Sequence, residues 1–316
     1  MTKDEYADLA NLIVQNNWGQ TPRIQHRKYT IAQIQGTAFD SDYSVYRIQW
    51  AEWYPTRSPV IGNTVPCVMI ANYTTQNEID ALKLLTKRQL AVPVVYHTIW
   101  GSNGDYMMYM KQMPGDELYT LTQEQPWKVA VEKLAEIHLT FWQGECAFET
   151  ASQQVHGSKA FMTWIQRANE HASFKKKWRV AFDRAIERVH LAPKTLIHGD
   201  FFPTNILVDG RDICIIDWAD ATVFGYMMDV GRLTATIDKK TIKPMCPCVD
   251  KVISAYYNRV KDRLQMDYSE YLQDIHAAQF IELCKYYQPV RAFGIQQEYA
   301  SLLERRLDSI AEEYLA

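Results

Sequence analysis

Residues 198–220 read HGDFFPTNILVDGRDICIIDWAD. Two short apolar runs, NILV at 205–208 and ICII at 213–216, flank Asp209-Gly210. Asp-Gly between β-branched runs is a strong hairpin signal, because glycine supplies the positive φ that a tight turn needs. Pairing Asp209 with Asp212 sets Val208 opposite Ile213 and Asn205 opposite Ile216. Asp217 then lies one step beyond the last pair. Opposed residues of antiparallel strands stand about 4.5–5.5 Å apart. Asn205 and Asp217 are therefore expected as neighbours at the open end of the hairpin.

Two oxygen-bearing side chains converging there suit a hard cation. Mg²⁺ fits best, since it takes few protein ligands and fills its shell with water and phosphate oxygens. Asp200 precedes Asn205 by five residues, on the loop entering the same end. A carboxylate at that place can orient a hydroxyl and accept its proton.

The rest of the chain narrows the class. At 316 residues, with 47% hydrophobic and 22% charged side chains, it has the composition of a folded globular protein. A net charge of −3 offers no overall basic field, which excludes nucleic acid as a general partner. No apolar run reaches the length of a membrane span, and the acidic, amphipathic N-terminus is not a signal peptide. The six cysteines hold one close pair, Cys246 and Cys248, without the second pair or histidine of a zinc site. They read as reduced thiols of a cytoplasmic protein, with Cys214 inside a strand.

Residues 3–17 have the spacing of a helix. From Tyr29 to Met110, five runs rich in β-branched and aromatic residues read as strands (YTIAQIQG, SVYRIQWAEWY, PCVMIANY, VPVVYHTIW and DYMMYMKQM). One helix, NEIDALKLLTKRQ, interrupts them, with Ile79, Leu82 and Leu85 on one face. Pro114-Gly115 marks a turn, and Thr122 to Gln125 matches a capping box that opens a helix to about Trp142. Residues 158–190 and three or more segments within 249–315 read as helices. The order is α+β, a strand-rich first third and a helical remainder with one embedded hairpin, and not a βαβ repeat.

His-x-Asp, four residues, Asn, a hairpin and Asp is the order in which protein kinases place a base and two metal ligands. LIHGDFFPTNILV followed by IIDWADATVFGYMMDVGRL resembles the aminoglycoside phosphotransferase and choline kinase superfamily, most strongly from about 195 to 233. The resemblance implies a protein-kinase-like fold of two lobes. Residues 1–110 would form a small β-rich nucleotide-binding lobe, 111–115 a hinge, and 116–316 a larger helical lobe. It implies Asp200 as catalytic base, Asn205 and Asp217 as Mg²⁺ ligands, His198 as a brace of the catalytic loop, and Asp229 as its support from the following helix. ATP is the implied cofactor, with GTP left open, and the acceptor would be a small-molecule hydroxyl.

The first third matches less well. The loop GTAFDSDYS has one glycine, Gly36; Ser41 and Ser44 either donate to phosphates or belong to an ordinary polar hairpin. The resemblance implies a lysine on the third strand, paired with a helix glutamate such as Glu78. Ile70 stands near that place and the strand has no lysine. Either another cation substitutes, with Arg47 on the preceding strand as a candidate, or phosphate positioning is weak, or the nucleotide sits differently. MMYMKQMPG resembles the hinge, where the Lys111 and Met113 backbones would meet adenine; it also reads as an edge strand and a turn.

His138, on an apolar helix face, reads as a satisfied core histidine, and Lys175 to Arg179 as a solvated helix face. For a cationic acceptor, carboxylates such as Glu270, Asp274, Glu282, Asp308, Glu312 and Glu313, or the aromatics Trp164, Tyr256, Tyr257, Tyr286 and Tyr287, are available, though amphipathic helices use the same residues structurally. Two readings stand: a kinase for a small-molecule hydroxyl (an aminoglycoside-like antibiotic, a choline-like alcohol or another metabolite), and a nucleotide-binding pseudokinase with a scaffolding or sensing role. Asp200, Asn205 and Asp217 together favour the first, because a binder needs no base.

Overall fold

The computed structural model describes residues 29–34, 45–50, 67–100, 106–111, 113–144, 175–238, 240–293 and 297–315. The expected N-terminal helix, the loop carrying Ser41 and Ser44, and residues 158–174 with Trp164 lie outside the described residues. The chain divides into two compact units, Met1–Pro114 and Gly115–Ala316.

The first unit holds five strands and a helix: β1 (Tyr29–Ile34), β2 (Val45–Trp50), β3 (Cys67–Thr74), α1 (Gln76–Lys87), β4 (Val95–Trp100) and β5 (Tyr106–Lys111). All five strand runs and the intervening helix fall where their patterns place them. The strands form one antiparallel sheet in the order β1-β2-β3-β5-β4. Thr75 caps α1, its Oγ1 accepting from the Glu78 N–H at 3.1 Å. Ile79, Leu82 and Leu85 are buried, as a 3.6-residue stripe requires.

The second unit is mainly helical. It runs β6 (Asp116–Glu117), α2 (Glu124–Thr140), α3 (Lys176–Leu191), β7 (Lys194–Ile197), β8 (Ile206–Asp209), β9 (Asp212–Ile215), β10 (Thr222–Gly225), α4 (Met227–Ala235), β11 (Ile237–Asp238), β12 (Lys243–Pro244), α5 (Val249–Leu264), α6 (Tyr268–Phe293) and α7 (Gln297–Leu315). Small sheets order β6-β8-β9, pair β7 with β10 and pair β11 with β12. Trp127, Trp178, Trp218, Tyr226, Tyr256 and Tyr271 fill the core. Four cysteines, Cys214, Cys246, Cys248 and Cys284, are free thiols, and Cys214 lies buried in β9.

One local expectation fails. The capping box at Thr122 does not form: Gln123 is the N-cap of α2 and makes no side-chain capping bond. The Trp127 indole N–H instead donates to the Leu121 carbonyl at 2.9 Å, fixing the entry to the helix by another route. No helix among the described residues is long and apolar enough to cross a membrane.

α4 and α6 approach closely because Gly231 faces Ala278. A Cβ at 231 would stand 2.4 Å from the Ala278 Cβ, so the crossing tolerates no side chain there. This contact sets how α4 meets the loop that follows β7.

Candidate active site

β7 delivers the chain to His198, and the backbone then turns through Gly199 at φ +81°, a conformation that non-glycine residues rarely adopt. The buried His198 ring is committed at both nitrogens. Nε2 donates to the Ile216 carbonyl at 2.8 Å, while Nδ1 accepts from the Asp200 N–H at 3.1 Å. These bonds place the proton on Nε2. They make His198 a strut between the loop and the hairpin strand, with no nitrogen left to exchange protons with a substrate.

Asp229, in the first turn of α4, holds the same loop from beneath. Its carboxylate accepts from the His198 N–H at 2.7 Å and the Gly199 N–H at 3.0 Å. His138 Nε2 donates to it at 3.2 Å, and His138 Nδ1 lies 2.6 Å from the Tyr256 hydroxyl. His138 is thus the satisfied core histidine expected from its helix face, but it also supports the residue beneath the loop. Complete burial by itself would raise the Asp229 carboxyl; the His138 bond and the loop amides outweigh this and hold it below the ordinary aspartate value.

The hairpin has the register read from the sequence. Asp209 pairs with Asp212, Val208 with Ile213 and Ile206 with Ile215, with Gly210 at φ +61° in the turn. Ile216 N–H donates to the Asn205 carbonyl at 2.9 Å, continuing the ladder one step. Asn205 and Asp217 therefore leave the hairpin side by side. Asp217 itself has φ +63°, an uncommon conformation for a non-glycine residue and one met at functional sites. The residue is exposed, yet protein packed about its carboxyl, and then the charges of Asp200 and Asp220, raise it above the ordinary value.

Asn205 Nδ2 donates to both the carbonyl (3.0 Å) and the carboxylate Oδ2 (3.2 Å) of Asp200. The Asn205 amide oxygen takes no part in these bonds, and it and the Asp217 carboxylate are the oxygens that could meet a cation. Among the described residues no group of three or more His, Cys, Asp or Glu could hold a metal. Asn205 and Asp217 could hold a cation that fills the rest of its shell with water and phosphate oxygens, as Mg²⁺ does, and the charges of Asp200 and Asp220 near Asp217 would favour one there.

Asp200 has a further partner that the motif did not indicate. Arg232 Nη2 pairs with its Oδ1, and Arg232 Nη1 donates to Glu282 Oε2 at 2.8 Å. The one available signal was a lone cation at i+3 from Asp229 on the apolar helix MMDVGRLTA.

Several acids named for a cationic acceptor are already engaged. Glu282 is 3% exposed and bonds Arg232 and Lys285. Asp274 pairs with Arg188 and accepts from the Tyr226 hydroxyl at 2.6 Å. Asp308 and Glu312 meet Lys175 and Lys177, so this basic run bonds α7 and is not simply a solvated face. Glu313 meets His276. Tyr256 stacks with the buried Tyr226 and Tyr271. Glu282, Asp274 and Tyr256 are buried in the helical core, whereas Asp308, Glu312 and Glu313 tie helices together nearer its surface.

In the first unit, Ile70 has Tyr46 and Tyr109 as its register partners. Arg47 pairs with Met69, one step away along the strand and hence at a position of opposite parity to Ile70. Lys111 N–H donates to the Val94 carbonyl at 2.8 Å, so it is not available to a base edge; Met113 follows at the end of this unit.

Residues 71–244, more than half of the chain, match the phosphotransferase enzyme family. No curated protein matches the chain in sequence at a significant level. Among solved structures, the GDP complex of wild-type aminoglycoside 2'-phosphotransferase-IIIa is 14% identical at a TM-score of 0.55, with 99% of each chain covered. Choline kinase from Cryptosporidium parvum Iowa II is 11% identical at a TM-score of 0.59, covering 98% of this chain and 96% of that one. Spectinomycin phosphotransferase, in complex with ADP and spectinomycin, is 14% identical at 0.52, covering 98% and 97%. These likenesses are of fold, the kinase-like fold with a smaller strand-rich part and a larger helical one. The chain belongs to the phosphotransferase enzyme family and is a phosphotransferase of the small-molecule kinase type.

Proposed function

We propose that this enzyme transfers the γ-phosphate of ATP, or of GTP, to a hydroxyl of a small molecule such as an aminoglycoside-like antibiotic, a choline-like alcohol or another metabolite. Asp200 is the base, and Asn205 and Asp217 hold Mg²⁺. The observation that carries the reading is the fixed carboxylate of Asp200, held by Asn205 on one oxygen and Arg232 on the other. Side-chain exposure of 30% leaves it open to an acceptor.

Asp200 orients the acceptor hydroxyl and takes its proton as the oxygen attacks phosphorus. His198 and Asp229 keep the loop backbone in place, so the carboxylate needs no reorganisation during transfer. When bound, Mg²⁺ neutralises charge on the transferring phosphates. Nucleotide contacts are assigned to Ser41 and Ser44 for phosphates and, since the Lys111 N–H is spent on Val94, to the Lys111 carbonyl and the Met113 backbone for the purine; Arg47, out of parity with Ile70, does not take the place of the strand lysine. The similar structures that carry GDP or ADP support a purine nucleotide as donor.

Purified enzyme with Mg-ATP or Mg-GTP and a panel of aminoglycosides, macrolides, choline, amino alcohols and sugars tests this by mass spectrometry. A product gaining one phosphate, and lost in Asp200→Asn, is expected. Product persisting in Asp200→Asn sinks the assigned base. Nucleotide binding without product across the panel favours the scaffolding or sensing reading, which the absence of a lysine in Cys67–Thr74 motivates.

A further inference from the structure

Arg232 lies one helical turn beyond Asp229 on α4, so the two side chains leave the same face of the helix toward the loop. They address different parts of it. Asp229 takes the backbone amides of His198 and Gly199, and Arg232 takes the side chain of Asp200. Behind Arg232 stands Glu282 on α6, itself bonded by Lys285 at 3.2 Å. In front, the guanidinium lies 5.7 Å from the centre of the Phe202 ring, two residues after Asp200. The guanidinium is thus fixed from three directions, and the close Gly231–Ala278 approach brings its helix near Glu282.

Stability alone accounts poorly for this arrangement. Arg232 is 14% exposed and Glu282 3%, and a buried ion pair is often no more stable than apolar residues of similar volume. The buried Nε of Arg232 has no hydrogen-bond partner among the described residues, a cost that ideal structural bridging would avoid. Burial works against the charge, but the Glu282 and Asp200 carboxylates keep the guanidinium protonated. A permanent, planar cation spanning two carboxylates fixes both distance and angle.

We propose that Arg232, backed by Glu282, is a positioning residue for the base: it holds the Asp200 carboxylate in the rotamer that receives the acceptor's proton. Asn205 fixes the other oxygen, so the carboxylate is gripped at both ends and cannot rotate about its last bond. The inference rests on the assignment of Asp200 as base. It separates two tasks that α4 performs at once, shaping the loop through Asp229 and aiming its carboxylate through Arg232.

The test uses the full chain, Mg-ATP and the best acceptor from the panel. Arg232→Met/Glu282→Gln removes both charges and leaves none buried alone; Arg232→Lys keeps the charge without the fork. Both are made in wild-type and Asp200→Asn backgrounds, with kcat, KM for each substrate and thermal unfolding measured on each. The expected result is a folded double variant whose kcat falls by roughly 10²-fold, the scale of a misplaced reacting group, with little change in KM for ATP. Arg232→Lys should recover part of the loss, and in Asp200→Asn the same changes should cost nothing further. Wild-type kcat in the folded double variant, or an equal loss repeated in Asp200→Asn, overturns the proposal. If the wild type phosphorylates nothing on the panel, the proposed function fails separately. The unfolding measurements then decide: non-additive effects of the Arg232 and Asp200 changes support the grip, and additive effects overturn it.

Discussion

Gly199 and Asp220 lie so close that a Cβ on Gly199 would stand 2.3 Å from the Asp220 carbonyl oxygen. The glycine between His198 and Asp200 is therefore required twice, by its φ of +81° and by the backbone against it. Gly199→Ala should destabilise the protein by about 2–4 kcal/mol, combining overpacking with left-handed strain. Denaturant unfolding measures the first effect. A phosphate-transfer assay on the folded fraction should show activity lost beyond what unfolding explains, because the Asp200 backbone must shift.

Asp229→Asn should cost about 3–5 kcal/mol, since it leaves loop amides and His138 facing an uncharged group in a buried site. The pH dependence has a definite sign. The folded carboxyl lies below its unfolded value of about 3.9. Its contribution is therefore complete above that unfolded value and is lost as pH falls through the lower, folded one. Unfolding at a series of pH values should show the gap between wild type and Asp229→Asn constant near neutrality and closing only in acid.

Asp217→Asn tests the cation. Thermal unfolding of the wild type with ATP should rise further when Mg²⁺ is added, and EDTA should abolish that increment. At a ligand concentration of 100 times Kd the stabilisation is about 2.7 kcal/mol. In Asp217→Asn the Mg²⁺ increment should be absent. Without metal the variant should unfold at or above the wild-type temperature near neutral pH, because it removes a charge crowded by Asp200 and Asp220. An unchanged Mg²⁺ increment would remove Asp217 from the metal site.

Gly231→Ala should destabilise by about 1–3 kcal/mol through its collision with Ala278. Ala278→Gly should recover part of that loss in the double variant, at the cost of a glycine within α6. Simple additivity in a double-mutant cycle would show that the two positions do not share the contact.

The hairpin was legible because its information is local. A period of two and an Asp-Gly turn fix the register, and the register alone brings Asn205 to Asp217. α1 was legible for a similar reason, as its stripe of Ile79, Leu82 and Leu85 is spaced for one face. Arg232 was not, because its partners lie 32 and 50 residues away and no period connects them. His138 was placed correctly in the core, yet its bond to Asp229 spans 91 residues, so its service to the loop could not be read. The capping box failed in the opposite way. Thr122 has the right local pattern, but the Trp127 indole bond to Leu121 settles the helix entry instead.

The approach of α4 to α6 also bears on synthesis. Asp200, Asn205 and Asp217 all emerge from the ribosome before Ala278 and Glu282. A nascent chain stopped ahead of α6 would hold the hairpin and the Asp229 anchor but would lack the carboxylate behind Arg232 and the surface against Gly231. The last parts of the support around Asp200 are thus translated well after Asp200 itself. Unfinished chains would carry the motif without the means to aim it, and a truncated product would be a poor catalyst even with every motif residue present.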